Sequence, residues 1–448
     1  MNLDTVFFIA VLFLFILVGV FKNRKVTSEE SYLFAKRQCG FWGLSCTLIM
    51  TELNTSTLLA FSGLGYVAGR RALFLPFVFL IGLLFYGLTV AKKYKALNAT
   101  SVTSLFRIRY GKPFAKLASV FLGIAMLGFT ATYVKSITLI FSPAFPTWNL
   151  WFLSGYLILL ILSMMLRGGL VSIIRTDILS FLLVCTIFPC FLFFGKGAGS
   201  VHAIPNFPEV LPSRFLISLI VLTMFTYILA PWYGQKIFSA KSKQTAFSAV
   251  IFAAVLVFIL YGVAVLATAH LKGKGLLLAS PESALPTLIN MYFPAGLRGV
   301  AYASLFMISA TTLAGVWSAM SSMFIADFSH QSQSYKQGLW LTLACAAASY
   351  LLGNTLVDRI LDKLILANIP VAALSFALLA GFYWKKASST GAILSTIVGL
   401  AWGLFTYLHF GEQGLYTWHW AIWGIPLIFE SGILGSLIKQ SKPLESIT

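Results

Sequence analysis

Acidic side chains are scarce, with 13 Asp and Glu in 448 residues, and charged residues of both signs make up only 10% of the chain. A soluble domain carries about 25%, so there is too little charge here to cover a water-facing surface. Cysteine is sparse as well. Its five residues (Cys39, Cys46, Cys185, Cys190 and Cys345) lie in or beside apolar segments and none sits in a clearly external loop, which argues against a disulfide framework. The chain contains no Walker loop, HExxH, Gly-x-Ser-x-Gly or paired Cys/His ligand pattern. Its five histidines, His202, His270, His330, His409 and His419, scatter among different loops and helix ends. An enzyme reading has nothing to stand on.

What the chain has in quantity is hydrophobic residues, 59% of the total, in runs of the roughly 20 residues a spanning helix requires. The runs predict an all-α polytopic membrane protein with thirteen transmembrane helices near 3–21, 40–68, 72–91, 115–141, 148–166, 172–194, 214–236, 246–270, 298–326, 337–357, 361–384, 389–409 and 418–438. The first run starts without a basic residue, has no small-residue cleavage site and exits into Lys22, Arg24 and Lys25, so it reads as a retained helix. No connection is long enough for a separate folded domain, and residues 1–448 read as one membrane domain.

Lys and Arg set the direction. Loops after odd-numbered spans, with the C-terminal tail, hold 22 of them and the opposite side 9. The odd loops are therefore expected in the cytoplasm, with the N-terminus outside, the C-terminus inside and the protein multi-pass in the plasma (inner) membrane. The net charge of +19 is spread through short loops, which fits anionic lipid and argues against nucleic acid.

Two spans are interrupted. The second carries Glu52, Asn54, Thr55, Ser56 and Thr57 at its centre, and a carboxylate at mid-bilayer costs roughly 2.5–3.5 kcal/mol even on lenient insertion scales. The seventh ends in ILAPWYGQK, where Pro231 removes a backbone donor and Gly234 is expected to relax the chain. Unpaired backbone groups at membrane depth must line a cavity or bind something. With the first span peripheral, the second and seventh open two five-helix units, residues 40–194 and 214–384, the spacing of an inverted-repeat transporter with two broken helices at its site. Residues 1–39 and 389–448 then flank that core. The blander reading makes Pro231 a kink and the hydroxyls intrahelical bonders.

Four stretches resemble the solute:sodium symporter family, which includes sodium-coupled sugar, proline and pantothenate carriers: SYLFAKRQCGFWGLSCTLIMTELNTSTLLAFSGLGYVAG, GGLVSIIRTDILSFLL, GQKIFSAKS and FPAGLRGVAYASLFMISATTLAGVWSAMSSMFIADF. The resemblance implies a leucine-transporter-like fold of inverted five-helix repeats with Na+ as the coupling ion. It implies a sodium site at the adjacent hydroxyls Thr311 and Thr312 with the carbonyls of Met50, Leu53 and Ile308, and a sodium exit at Asp177. A hard cation suits such an oxygen-only set; Thr311 and Thr312 also read as intrahelical bonders. Asp177 also reads as an interfacial charge beside Arg175. The chain departs from the family at Ser180, where Gln is usual, at Ala314, Gly315 and Trp317, where Ser and Asn abound, and at Glu52, where side chains are small or amides.

The expected function is sodium-coupled import of a small polar organic solute by alternating access, around a midplane site between spans 2, 4, 7, 9 and 11. Candidate solute contacts are Glu52, Asn54, Ser56 and Thr57 on the broken helix, with Trp232 and Tyr233 near the second break. The rivals are proton coupling through Glu52 and a symporter-like sensor, which, with about ten residues after the last span, would have to act through a separate partner. Glu52 itself has three readings: a pair with Lys135, contact with a cationic or amine-bearing solute, or a proton-coupling site.

Overall fold

The computed structural model describes residues 2–21, 37–97, 99, 101–165, 169–196, 211–273, 275–328, 335–412 and 415–438. Expectations that rest on residues 22–36, on His202 and His330, and on the tail after 438 lie outside them. The described residues are helical almost throughout, and a helix or a chain of short helices stands at each of the thirteen apolar runs. The expected count of thirteen spans is not reproduced. Among the described residues eight helices can cross a bilayer by length and composition, and a bent pair makes a ninth. Two apolar stretches, Leu3–Leu17 and Leu150–Met164, are shorter than that standard, and the second run is cut so near its middle that its first half, Phe41–Glu52, has 12 residues.

The helices that position the site are α1 (Leu3–Phe21), α2 (Phe41–Glu52), α3 (Thr55–Ala68), α4 (Phe74–Tyr86), α5 (Lys92–Leu97), α6 (Ser104–Tyr110), α7 (Lys112–Phe141), α8 (Leu150–Met165), α9 (Gly169–Lys196), α10 (Ser213–Tyr227), α11 (Pro231–Phe238), α12 (Lys243–Gly273), α13 (Ala284–Tyr292), α14 (Leu297–Phe328), α15 (Tyr335–Thr355), α16 (Ile360–Leu366), α17 (Ile369–Ala373), α18 (Ser375–Tyr383), α19 (Ser389–Phe410), α20 (Tyr416–His419) and α21 (Ile425–Ile438). α14 is the central post, buried over most of its length and packed against α1, α7, α9 and α15. α12 lies against α2, α3 and α4. α19 and α21 pack chiefly on each other.

The second run breaks at Leu53 and Asn54, both in extended conformation. A break at this depth exposes helix-end donors and acceptors that must find partners. Asn54 caps α3, its side-chain oxygen accepting the Thr57 N–H at 2.8 Å, a substitution-sensitive contact worth about 0.5–2 kcal/mol. The hydroxyl of Tyr261, on α12, donates to the Glu52 carbonyl at 2.7 Å and accepts the Asn54 N–H at 3.1 Å. One tyrosine thus serves both sides of the gap.

The seventh run breaks as α10 and α11, bent by 46°. The gap falls at 228–230, and Pro231 occupies the first turn of α11, where a missing N–H costs nothing. Tyr94 on α5 donates its hydroxyl to the freed Ile228 carbonyl at 2.8 Å. Gly234 does not relax the chain as expected: it lies inside α11, and a Cβ there would stand 2.3 Å from a Val102 methyl, so it permits close packing. The two broken runs are also tied together at one end, where Cys39 N–H bonds the Ser239 carbonyl at 2.9 Å and Lys241 N–H bonds the Cys39 carbonyl at 2.8 Å.

Candidate sodium and solute site

The gap between α2 and α3 faces α14. Thr312 donates its hydroxyl to the Ile308 carbonyl at 2.8 Å and lies 3.2 Å from the Met50 carbonyl. The Ile308 bond is the back-bond of a helical threonine to its own helix, and the contact that joins the broken helix to the central post is the Met50 carbonyl with the Thr312 hydroxyl. Thr311 lies one residue away and bonds the Met307 carbonyl at 2.9 Å. Leu53 ends α2, its N–H on the Ile49 carbonyl at 2.8 Å. Of the five expected ligands, the structure brings Met50, Ile308 and Thr312 into contact, with Thr311 and Leu53 adjacent in the same segments. An all-oxygen cluster with no fixed charge of its own suits a monovalent hard cation.

Beside it lies a cavity whose wall draws on both broken helices. The broken helix contributes Thr51, Glu52, Asn54 and Thr57; the second break contributes Thr226, Tyr227 and Trp232. Phe79 of α4, Phe129 and Tyr133 of α7, and Asn368 before α17 complete the wall that matters here. The span containing α14, expected to border the solute, contributes nothing to this wall, and α4 takes a place that had not been expected.

Four of the six expected solute contacts line the cavity: Glu52, Asn54, Thr57 and Trp232. Ser56 turns instead toward α7, bonding Ser136 at 3.2 Å, because consecutive helical residues point about 100° apart. Tyr233 is buried against Tyr86, ring centroids 5.3 Å apart. Neither is part of the cavity wall.

Glu52 is buried, and Tyr227 donates its hydroxyl to the carboxylate. The pair with Lys135 is not formed: among the described residues no ion pair joins them. Lys135 acts on Glu282 of the turn Pro281–Ser283, whose carboxyl is held above the usual range by burial, opposed by the Ile360 N–H and by Lys135.

Asp177 is not a solvated interfacial charge. It is fully buried and pairs with the equally buried Lys236 of α11 at 2.9 Å. Thr47 donates to the same carboxylate oxygen, and Lys236 also donates to the Thr47 carbonyl at 3.0 Å and to the Thr51 hydroxyl. Lys236, at the very end of the seventh expected span, is a core cation that links α9, α2 and the second broken helix. Because Thr51 reaches the solute cavity, the ion pair and the cavity share one polar chain.

Sequence reasoning missed Lys236, Tyr261, Tyr227 and Tyr94. The available signal was placement. Lone tyrosines in long apolar runs need partners for their hydroxyls, and Lys236 lies within two helical turns of Pro231, still inside the span.

A chain of this kind, with two broken helices against a long central helix and an oxygen cluster at the first break, is a secondary transporter. The comparisons say which. The sodium:solute symporter family model matches residues 32–399, and the chain belongs to that family. It is 22% identical to the sodium/glucose cotransporter of Vibrio parahaemolyticus, over 89% of this chain and 84% of that one. Its structure is similar to a Na+-coupled sialic acid symporter in the substrate-bound outward-open state (TM-score 0.83, 17% identity, all of both chains). It is also similar to MhsT in complex with L-phenylalanine (TM-score 0.58, 13% identity, 89% and 98% of the two chains). The fold is the leucine-transporter-like one, and the chain is a multi-pass membrane transporter with Na+ as its coupling ion.

Proposed function

We propose that the chain imports a small polar organic solute by alternating access, with sodium held by the Met50, Leu53 and Ile308 carbonyls and the Thr311 and Thr312 hydroxyls. The observation that carries this is the approach of Thr312 to the Met50 carbonyl across the break, at 3.2 Å. Sodium there would tie the broken helix to α14. Glu52 lies two residues beyond Met50 on the same broken segment and lines the solute cavity, so ordering the break for the ion also places the solute contacts. Each ligand then prepares the site for the other, a coupling that must be reciprocal. Inward movement of sodium releases about 2.3 kcal/mol per charge for each 100 mV of membrane potential, which is available to accumulate solute.

Asp177 is the proposed sodium exit group, and Lys236, seated on its carboxylate, is the charge a departing ion would meet there. The repeats at 40–194 and 214–384 move against each other in this scheme, with 1–39 and 389–448 peripheral. The bias of Lys and Arg toward odd loops supports residence in the plasma (inner) membrane with the N-terminus outside.

The test is uptake of labelled solutes by proteoliposomes holding the full chain, with an inward sodium gradient, an inward proton gradient or neither. Uptake that follows sodium alone is the expected result. Uptake that follows protons in the absence of sodium overturns the reading, and a protein that binds solute without moving it fits a sensor instead.

A further inference from the structure

We infer that the solute is a small organic cation, an amine or quaternary ammonium whose charge sits against Glu52 within a wall of aromatic rings. This rests on the reading of the cavity as the solute site and names the class of molecule it takes.

The charge inventory carries the argument. Glu52 is the one acid on the cavity wall, and no Lys, Arg or His stands among the described lining residues. Among the described residues Tyr227 is the one hydrogen-bond donor to its carboxylate. A carboxylate has about four acceptor positions, so most of its capacity is directed elsewhere than at the protein. The cations that could have neutralised it do not: Lys236 is bonded to Asp177, Thr47 and Thr51, and among the described residues Lys135 makes no ion pair with it. An ionised carboxylate in this setting demands a positive partner.

The rest of the wall fits that partner. Two edge-to-face aromatic pairs line the cavity, Phe129 with Trp232 at 5.3 Å between centroids and Phe79 with Tyr227 at 5.7 Å, and Tyr133 adds a fifth ring. Aromatic faces are electrostatically negative and attract ammonium groups, trimethylated ones included. The combination discriminates. An anionic solute would meet Glu52 with nothing to offset the repulsion. A neutral polyol could stack and donate hydrogen bonds to the carboxylate but would leave its charge uncompensated. A cation satisfies the carboxylate and the rings together. Its positive charge would also add to that of sodium in the same inward step, so the membrane potential would act on both.

The test uses the purified full chain, with melting temperature as readout, in saturating sodium and in potassium of equal ionic strength. The probes are choline, ethanolamine, the neutral choline isostere 3,3-dimethylbutan-1-ol, and glucose. We expect choline or ethanolamine to raise the melting temperature further when sodium is present, and the isostere and glucose to leave it unchanged. Glu52→Gln should raise the half-saturating concentration of the active cation about ten- to a hundredfold, the worth of a hydrogen bond to a charged group. Trp232→Leu should raise it roughly two- to thirtyfold. The shift produced by sodium alone should survive in both variants, which shows that they fold. A sodium-dependent shift from glucose or from the neutral isostere equal to that from choline overturns the inference while leaving sodium-coupled symport standing, as does a Glu52→Gln variant that binds the cation as tightly as the parent. Absence of a shift with both cations, while sodium still stabilises, overturns it as well. Loss of the sodium shift itself in Glu52→Gln would make sodium the occupant of the carboxylate, and absence of any sodium response in the parent strikes the symport reading instead.

Discussion

The hydroxyl of Tyr261 bridges the break in the first core helix, donating to the Glu52 carbonyl at 2.7 Å and accepting the Asn54 N–H at 3.1 Å. Tyr261→Phe keeps the ring packing, strands the Asn54 N–H at membrane depth and leaves the Glu52 carbonyl to the Asn54 side-chain amide, 3.0 Å away. The loss is expected to cost about 1–3 kcal/mol, read as a lower melting temperature. Sodium affinity should fall with it, because the Met50 carbonyl rides on the same turn. A Phe variant as stable as the parent with unchanged sodium affinity would show that the break holds itself.

Tyr94 performs half of that task at the second break, satisfying the Ile228 carbonyl alone. Tyr94→Phe should therefore destabilise less than Tyr261→Phe, by about 1 kcal/mol, and leave sodium binding intact. A larger loss than at Tyr261, measured in the same detergent, would contradict the assignment.

Asp177 and Lys236 are both buried and share a hydrogen-bonded ion pair. Removing one partner of such a pair costs about 3–5 kcal/mol because the other charge is stranded, whereas removing both is far milder. Lys236→Met should therefore be the least stable variant, and Lys236→Met with Asp177→Asn should recover much of the loss. As a sodium exit group, Asp177→Asn should slow uptake while the sodium-induced melting shift persists. A lost shift with a normal uptake rate would reverse that assignment.

Lys135 does not hold Glu52, so Lys135→Met should leave solute affinity within about twofold of the parent, and it should not rescue Glu52→Gln. Rescue by the double change, measured as restored uptake, would revive the pairing that the side-chain positions contradict.

Much of this was legible in the chain because membrane helices announce themselves. Apolar runs gave the helices, and a polar run inside one of them marked the first break within a residue or two of where it lies. Pro231 marked the second for a related reason, although the proline starts the new half-helix and the gap precedes it. What stayed hidden were partnerships across the bundle. Nothing in the spacing of Glu52 and Tyr227, 175 residues apart, or of Asp177 and Lys236, 59 apart, says that they meet. Lys236 was the hardest to place, since charge statistics assign lysines near span ends to water, and only the packing of α2, α9 and α11 encloses it. The orientation of neighbours on one helix was equally beyond a one-dimensional reading, which is why Ser56 and Tyr233 were grouped with residues that face the cavity when they do not.

The most direct measurement of the central claim is the half-saturating sodium concentration for thermal stabilisation of the purified chain, with potassium as control, in the parent, Thr311→Ala, Thr312→Ala and Thr312→Ser. A ligand bound only by the folded state at a hundred times its Kd adds about 2.7 kcal/mol of apparent stability, well within reach of the method. Sodium and not potassium should stabilise the parent. Both Ala variants should need more sodium, Thr312→Ala the more so because its hydroxyl reaches the Met50 carbonyl, and Thr312→Ser should stay near the parent because the oxygen remains. Equal stabilisation by potassium, or identical sodium titrations in the parent and both Ala variants, would contradict a sodium site between the broken helix and α14.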